Sequence, residues 1–389
     1  MGNTEIRGET APGWGAIADV LRASIDAGDD TGASVAVYHR GRCVSDLAGG
    51  TFTRDGGDYD QQTLQLVFST TKGITAIAVA MCVERGLLDY DATVATYWPE
   101  FAAAGKEHAT VAQLLSHQLG LITVDGLTLE QALDWDTITS RLAATAPEWP
   151  IGSGHGYHAL TYGWLAGELV RRVDGRSLGT FVAEEIAKPL GVDLWIGLPE
   201  SEEPRVSPLI QEAPATDVDP AIRAMMEAVM GPGTLGGRAL SLSGAFGPGG
   251  TFNRRDVHAA EIPAANCITN AAALAKVYAA TLGPVDGVQL MDTAVRERAR
   301  TQVTPQGEND LCLMMPTTFG LGFMVHGLFT PYAGPGSYGH PGAGGSVAFA
   351  QPERDLAFAY VMNTMAANLA GDLRAQRLIE AAVAAADAA

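Results

Sequence analysis

Val67-Phe68-Ser69-Thr70-Thr71-Lys72-Gly73-Ile74 opens an apolar run that continues through Ala76, Ile77, Val79, Ala80 and Val83. The spacing predicts a helix with Ser69 at its mouth and Lys72 one turn along on the same face. A serine hydroxyl is a weak nucleophile at neutral pH and needs a base within hydrogen-bond reach, which a lysine on the same face can supply. The start of a helix also favours negative charge developing near Ser69. Both effects point to acyl transfer. With 14 serines and four lysines in the chain, chance supplies about 0.14 Ser-x-x-Lys pairs. The competing reading is a helix capped by Ser69 with Lys72 exposed in its first turn. The remainder of the chain has to decide between them.

At 389 residues and 47% hydrophobic content the chain can bury a large core and build two packed lobes. Its formal net charge of −19 opposes binding to nucleic acid or an anionic membrane surface, and Arg171-Arg172 and Arg254-Arg255 are isolated basic pairs rather than a patch. The N-terminal stretch has no basic or apolar segment of secretory type, and charges interrupt every apolar run before it could span a bilayer, so a cytoplasmic location is expected. Cys43, Cys82, Cys267 and Cys312 are too far apart for a zinc or dithiol motif and read as buried free thiols.

Working outward, Trp14 to Ala27 has helical periodicity, and 34–38 and 43–47 read as a hairpin turning at His39-Arg40-Gly41-Arg42. Helices are expected over 110–115, 129–144, 160–173, 178–186 and 270–282, with a long, partly irregular loop at about 200–262. Strands return at 319–326, 345–350 and 356–362, and an Ala-rich helix closes the chain from Leu373 to Ala385. Strands near both ends with helices between them predict an α+β fold: one antiparallel sheet flanked by terminal helices, with a mainly helical lobe inserted. The sheet lobe is assigned to 1–62 and 315–389 and the helical lobe to 63–314, with the cleft between them.

Two more stretches carry chemistry. Gly154-His155-Gly156-Tyr157-His158-Ala159 sets a tyrosine in a glycine-rich loop just before a helix, and Gly339-His340-Pro341-Gly342-Ala343-Gly344-Gly345 leads into the strand at Ser346. With Ser69-Thr70-Thr71-Lys72, Leu114-Leu115-Ser116-His117-Gln118-Leu119-Gly120-Leu121 and Tyr162-Gly163, these motifs run in the order that resembles the serine β-lactamase-like hydrolases. The branch is the one joining class C β-lactamases, DD-peptidases and family VIII carboxylesterases. The Gly-x-Ser-x-Gly elbow of α/β-hydrolases is absent.

The resemblance implies a β-lactamase/DD-peptidase-like fold, Ser69 as the acylated nucleophile, Lys72 and Tyr157 as a coupled base system, and His340 to Gly342 as the strand-side motif. It also implies an oxyanion hole from the N–H groups of Ser69 and Ala343, substrate contacts at His340, Gly342 and His158, and no cofactor or metal. Two departures bear on substrate. His158-Ala159 follows the tyrosine where an asparagine often completes the motif, and His340 stands where lactam-processing members commonly carry lysine. A neutral small-molecule ester is therefore favoured over an anionic lactam or D-peptide. Acyl transfer to a metabolite alcohol or amine, lactam or D-peptide cleavage, and an inactive binding scaffold are the other readings. His117 is expected to be structural, His340 to act directly or to position, and Phe246, Phe252, Trp195 and Tyr332 are candidate walls of an acyl pocket.

Overall fold

A computed structural model describes residues 4–211, 224, 227–247, 250–367 and 371–389. The sheet carries the architecture. Its strands run in the order Ile6–Thr10, Arg42–Thr53, Gly32–His39, Leu356–Met362, Val347–Gln351, Tyr338–Pro341, Met324–Val325, and every neighbouring pair is antiparallel. The hairpin turn has both central residues in the left-handed region, Arg40 at φ 52° and Gly41 at φ 71°. This turn matches the right-handed twist of the strands it joins.

Leu356–Met362 shows why both faces are covered. All seven residues are buried, and they alternate in size. Leu356, Phe358, Tyr360 and Met362 pack toward the terminal helices Ala16–Ala27 and Leu373–Ala388, while Ala357, Ala359 and Val361 join the core on the opposite face. There the small side chains admit the helix Ala271–Leu282 close to the sheet. A buried ion cluster fastens the terminal elements: Arg374 lies 3.0 Å from Asp30 and 2.7 Å from Asp372, and the Tyr360 hydroxyl donates to Asp30 at 2.7 Å.

The helix Thr71–Glu84 is buried at every position from Thr71 to Cys82 and packs on Thr161–Asp174. A helix apolar all round belongs at the centre of a structure. Capping side chains fix several starts: Asn270 accepts from the Ala273 N–H, and Thr110 and Gln113 form a reciprocal box. Among the described residues no helix is long and apolar enough to cross a membrane.

Several local expectations are corrected. Residues 319–326 form a tight reversal in which Phe319 bridges back to Met324, so only Met324–Val325 joins the sheet. Gly322 sits at φ 97° in that turn, and a Cβ there would lie 2.7 Å from Ala76 Cβ. Tyr338–Pro341, for which no strand of its own was expected, is a strand, with His340 opposite Ala348. Ile6–Thr10 is a polar edge strand. The helix expected over 129–144 divides into Leu129–Leu133 and Trp135–Ala144, because Asp134 caps the second. Leu178–Val182 gives way to a wider turn at Ala183–Ala187. The 200–262 region contains helices Leu235–Ser241 and Arg255–Ala259 and turns at Glu200–Arg205 and Thr251–Asn253, while 212–223, 225, 226, 248 and 249 lie outside the described residues. The four cysteines are free, but Cys43 is exposed.

Candidate active site

Ser69 lies in a single 3₁₀ turn, Phe68–Thr70, that feeds the helix Thr71–Glu84. The residue before it, Phe68, holds φ at 44°, a left-handed conformation that costs a non-glycine residue on the order of 1 kcal/mol. Lys72 is fully buried one turn on. Its Nζ lies 3.0 Å from Ser69 Oγ, 2.7 Å from the Ala159 carbonyl and 2.9 Å from the Ala264 carbonyl. The exposed-lysine reading therefore falls. Burial holds the amine well below its usual 10.5. A neutral amine has two N–H groups and one lone pair. The two carbonyls can only accept, so they take both N–H groups and leave the lone pair facing the serine hydroxyl.

Tyr157 reaches the same point from a loop without helix or strand at 154–158. Its ring passes 4.8 Å from Lys72 Nζ and is flanked by Phe319 and His340, nearly parallel, at 6.3 and 5.9 Å between centroids. Burial pushes the phenol pKa up, and Ser69 opposes this through a side-chain hydrogen bond. Three successive backbone N–H groups fix the loop: Gly156 donates to the His117 carbonyl at 3.0 Å, Tyr157 to Asp310 Oδ1 at 3.0 Å and His158 to His117 Nδ1 at 3.0 Å.

The sheet supplies the opposite wall. His340 is buried, its Nδ1 lies 2.7 Å from the Pro341 carbonyl and must donate to it, and its Nε2 has no partner among the described residues. Burial, with Lys72 nearby, lowers its pKa to about 3, so the ring is neutral. Gly342 acts as a joint: a Cβ there would meet Ser346 Oγ at 2.2 Å and the Val67 carbonyl at 2.3 Å. Ser346 Oγ donates to that carbonyl at 2.8 Å and lies 3.2 Å from Thr70 Oγ1, tying the sheet to the serine turn. Ala343 is the first residue of the turn Ala343–Gly345, so its N–H has no partner within that turn.

Ser69, Tyr157, His340 and Ala343 line one cavity of about 120 Å³, whose other walls include Phe68, Leu160, Leu240, Phe252 and Leu313. None of its described lining residues is Asp, Glu, Lys or Arg. Of the candidate acyl-pocket aromatics, Phe252 lines it. Phe246 stacks behind Phe252 at 5.5 Å, and Tyr332 and Gly342 line a separate cavity. Trp195 joins a small apolar cluster with Phe68 and Phe252. His158 stands off the cavity wall: Nε2 accepts from the Leu121 N–H at 3.0 Å and Nδ1 lies 2.6 Å from the Gly156 carbonyl, so both ring nitrogens serve the backbone. Burial lowers its pKa to about 4. His117 is likewise a buried scaffold residue. Sequence reading did not find the carbonyls of Ala159 and Ala264, nor Asp310, Ser346 and Thr70. Among the described residues no group of three or more His, Cys, Asp or Glu side chains is arranged to hold a metal ion.

The family model described as Beta-lactamase matches residues 17–383. The chain belongs to that family. The esterase/beta-lactamase LipL of Mycobacterium tuberculosis is 37% identical over 345 residues, covering 86% of this chain and 77% of that protein. A family VIII carboxylesterase structure superposes with a TM-score of 0.87 at 35% identity, covering 98% of this chain and all of that one. A penicillin-binding protein homolog from Caulobacter crescentus superposes with a TM-score of 0.85 at 39% identity over the same shares. The fold is β-lactamase-like, as the order of motifs implied.

Proposed function

We propose that this chain is a serine hydrolase that cleaves neutral carboxylic esters through an acyl-enzyme on Ser69. The observation that carries the reading is the buried Lys72 Nζ, 2.7 and 2.9 Å from two carbonyls and 3.0 Å from Ser69 Oγ; in the neutral amine the carbonyls take both N–H groups and the lone pair is left for the serine. As Ser69 Oγ bonds to the acyl carbon, its proton passes to Lys72 Nζ. The carbonyl oxygen becomes an oxyanion held by the N–H groups of Ser69 and Ala343, each worth roughly 3–4 kcal/mol when removed. Tyr157 is the donor of the pair, because burial keeps its phenol protonated. It gives that proton to the departing alkoxide, and the proton taken up by Lys72 makes good the loss, so that the two groups together return to their starting forms. Water then attacks the acyl-enzyme by the same groups in reverse, releasing the acid and restoring Ser69.

Substrate polarity follows from the wall. His340 is neutral and no Lys or Arg is among the described lining residues, so a carboxylate finds no fixed cation there. The naming of LipL as an esterase/beta-lactamase and of a full-length structural neighbour as a carboxylesterase supports ester cleavage. The test is turnover of p-nitrophenyl acetate, butyrate and octanoate beside a chromogenic cephalosporin, with Ser69→Ala as control. Ester turnover that disappears in Ser69→Ala, with little cephalosporin cleavage, is expected. A cephalosporin kcat/KM above that of every ester, or ester turnover that survives the substitution, would overturn the reading.

A further inference from the structure

Asp310 is a fully buried acid in a segment that carries no helix or strand. Its Oδ1 accepts three backbone N–H groups, from Tyr157 at 3.0 Å, Cys312 at 2.8 Å and Leu313 at 2.9 Å. Its Oδ2 accepts the Thr317 hydroxyl at 3.1 Å, and Thr317 Oγ1 lies 3.0 Å from His155 Nε2. The single hydroxyl proton goes to the carboxylate, so Thr317 accepts from His155 Nε2–H. That leaves His155 Nδ1 bare, and Nδ1 is the ring nitrogen without a partner among the described residues. The Leu311 N–H returns to the His155 carbonyl at 2.9 Å. One carboxylate thus stitches the Tyr157 loop to the 310–317 segment from behind the site.

A loop residue that must deliver a proton needs its main chain held to within about 0.5 Å, and an error near 1 Å can cost about 100-fold in rate. The flanking rings of Phe319 and His340 restrict how the Tyr157 ring turns, but they do not fix where its backbone sits. We infer that Asp310 is a positioning residue for Tyr157: beside the bonds that hold Gly156 and His158 to His117, its charge-assisted bond to the Tyr157 N–H sets the depth at which the phenol meets Ser69 and the leaving alcohol. The inference rests on the acid role given to Tyr157 under the proposed function. The carboxylate has a second effect, since its field adds to burial in opposing ionisation of the phenol. The groups facing Asp310 include His155, Cys312 and Thr317, and those facing Tyr157 include Ser69, Lys72, His117, Tyr162, Tyr332 and His340.

The experiment compares two butyrate esters that differ only in their alcohol. p-Nitrophenolate leaves without a proton, whereas ethoxide must receive one. Misplacing the donor therefore hurts ethyl butyrate more, while a general loss of folded enzyme lowers both equally. Asp310→Ala is expected to lower kcat/KM about 100-fold for ethyl butyrate and about tenfold for p-nitrophenyl butyrate, with Tyr157→Phe biased in the same direction and more strongly. If Asp310→Ala does not fold, Asp310→Asn keeps one acceptor without the charge and should show the same bias at about threefold. Equal losses for both esters in the folded Asp310 variant, with the bias present in Tyr157→Phe, would overturn the role of Asp310 alone. A Tyr157→Phe variant without the bias would overturn the acid role and this inference with it.

Discussion

Two of the four lysines are fully buried, and their surroundings are nearly twins. Lys106 Nζ lies 5.2 Å from the Phe101 ring centroid and donates to the carbonyls of Ala103, Ala143 and Thr145 at 2.6, 3.0 and 2.7 Å. Lys72 Nζ lies 4.8 Å from the Tyr157 ring centroid and has two carbonyls and one hydroxyl. One neighbour differs, and it changes the chemistry. Three carbonyls demand three N–H groups, which only the ammonium form provides. Two carbonyls and a hydroxyl suit the neutral amine, because the hydroxyl can donate. Burial lowers both pKa values, that of Lys72 much further. The same residue type, buried in both places, has neighbours that call for the ammonium form in one and that fit the neutral amine of the proposed base in the other.

The strongest way to break this comparison is to remove each amine while keeping the length of the side chain. Lys72→Met should cut kcat/KM for p-nitrophenyl butyrate by about 10⁴-fold, since the base is gone while the oxyanion donors remain. Circular dichroism and a thermal melt should show the variant still folded. Loss of folding, or activity within tenfold of the parent, would sink the base assignment. Lys106→Met should do the reverse. It strands three carbonyls, at roughly 1–3 kcal/mol for each buried acceptor left unpaired, so urea unfolding should report a loss of about 3 kcal/mol or more. kcat per active site, titrated with a fluorophosphonate, should stay within about twofold. A large fall in kcat with unchanged stability would mean that Lys106 had been misread.

The contrast also marks what sequence can disclose. Ser69 and Lys72 were legible because their chemistry depends on local helical spacing, which the chain writes over three residues. Leu356 to Met362 was legible as a strand, because its apolar run is local. The two carbonyls that complete the Lys72 site were not, since Ala159 and Ala264 lie 87 and 192 residues away and contribute backbone atoms that every residue has. Lys106 was invisible as a buried cation for the same reason. Tyr338–Pro341 hid as a strand behind its glycine and proline, and the next residue, Gly342, admits the serine turn because it carries no side chain. Asp310 left only a faint mark, one acid placed directly before the apolar run Leu311-Cys312-Leu313-Met314-Met315. A lone carboxylate there must find donors, but nothing local names the Tyr157 N–H as one of them.

The smallest effect gives the sharpest test, because it reads the charge on Lys72 without using activity. In the unfolded chain this lysine titrates near 10.5, while in the folded protein its pKa is lowered by burial. Between those two values the unfolded chain holds a proton that the folded protein does not, so folding stability rises with pH by up to about 1.4 kcal/mol per unit from this one site. The contribution is fully present above 10.5, is lost as pH falls, and levels off below the folded pKa. Lys72→Met removes the site, whereas Lys106 titrates alike in both proteins and cancels in the difference, and His117, His158 and His340, which burial first and Lys72 after it push down, titrate below the range read here. The stability of Lys72→Met relative to the parent should therefore improve steadily as pH is lowered from 9 toward 7 in urea unfolding. The pH at which the difference stops changing is the folded pKa of Lys72. A difference that stays flat across the range would mean an ammonium in the folded site, with Ser69 accepting from it as a third carbonyl would, and the distinction between the two lysines would disappear.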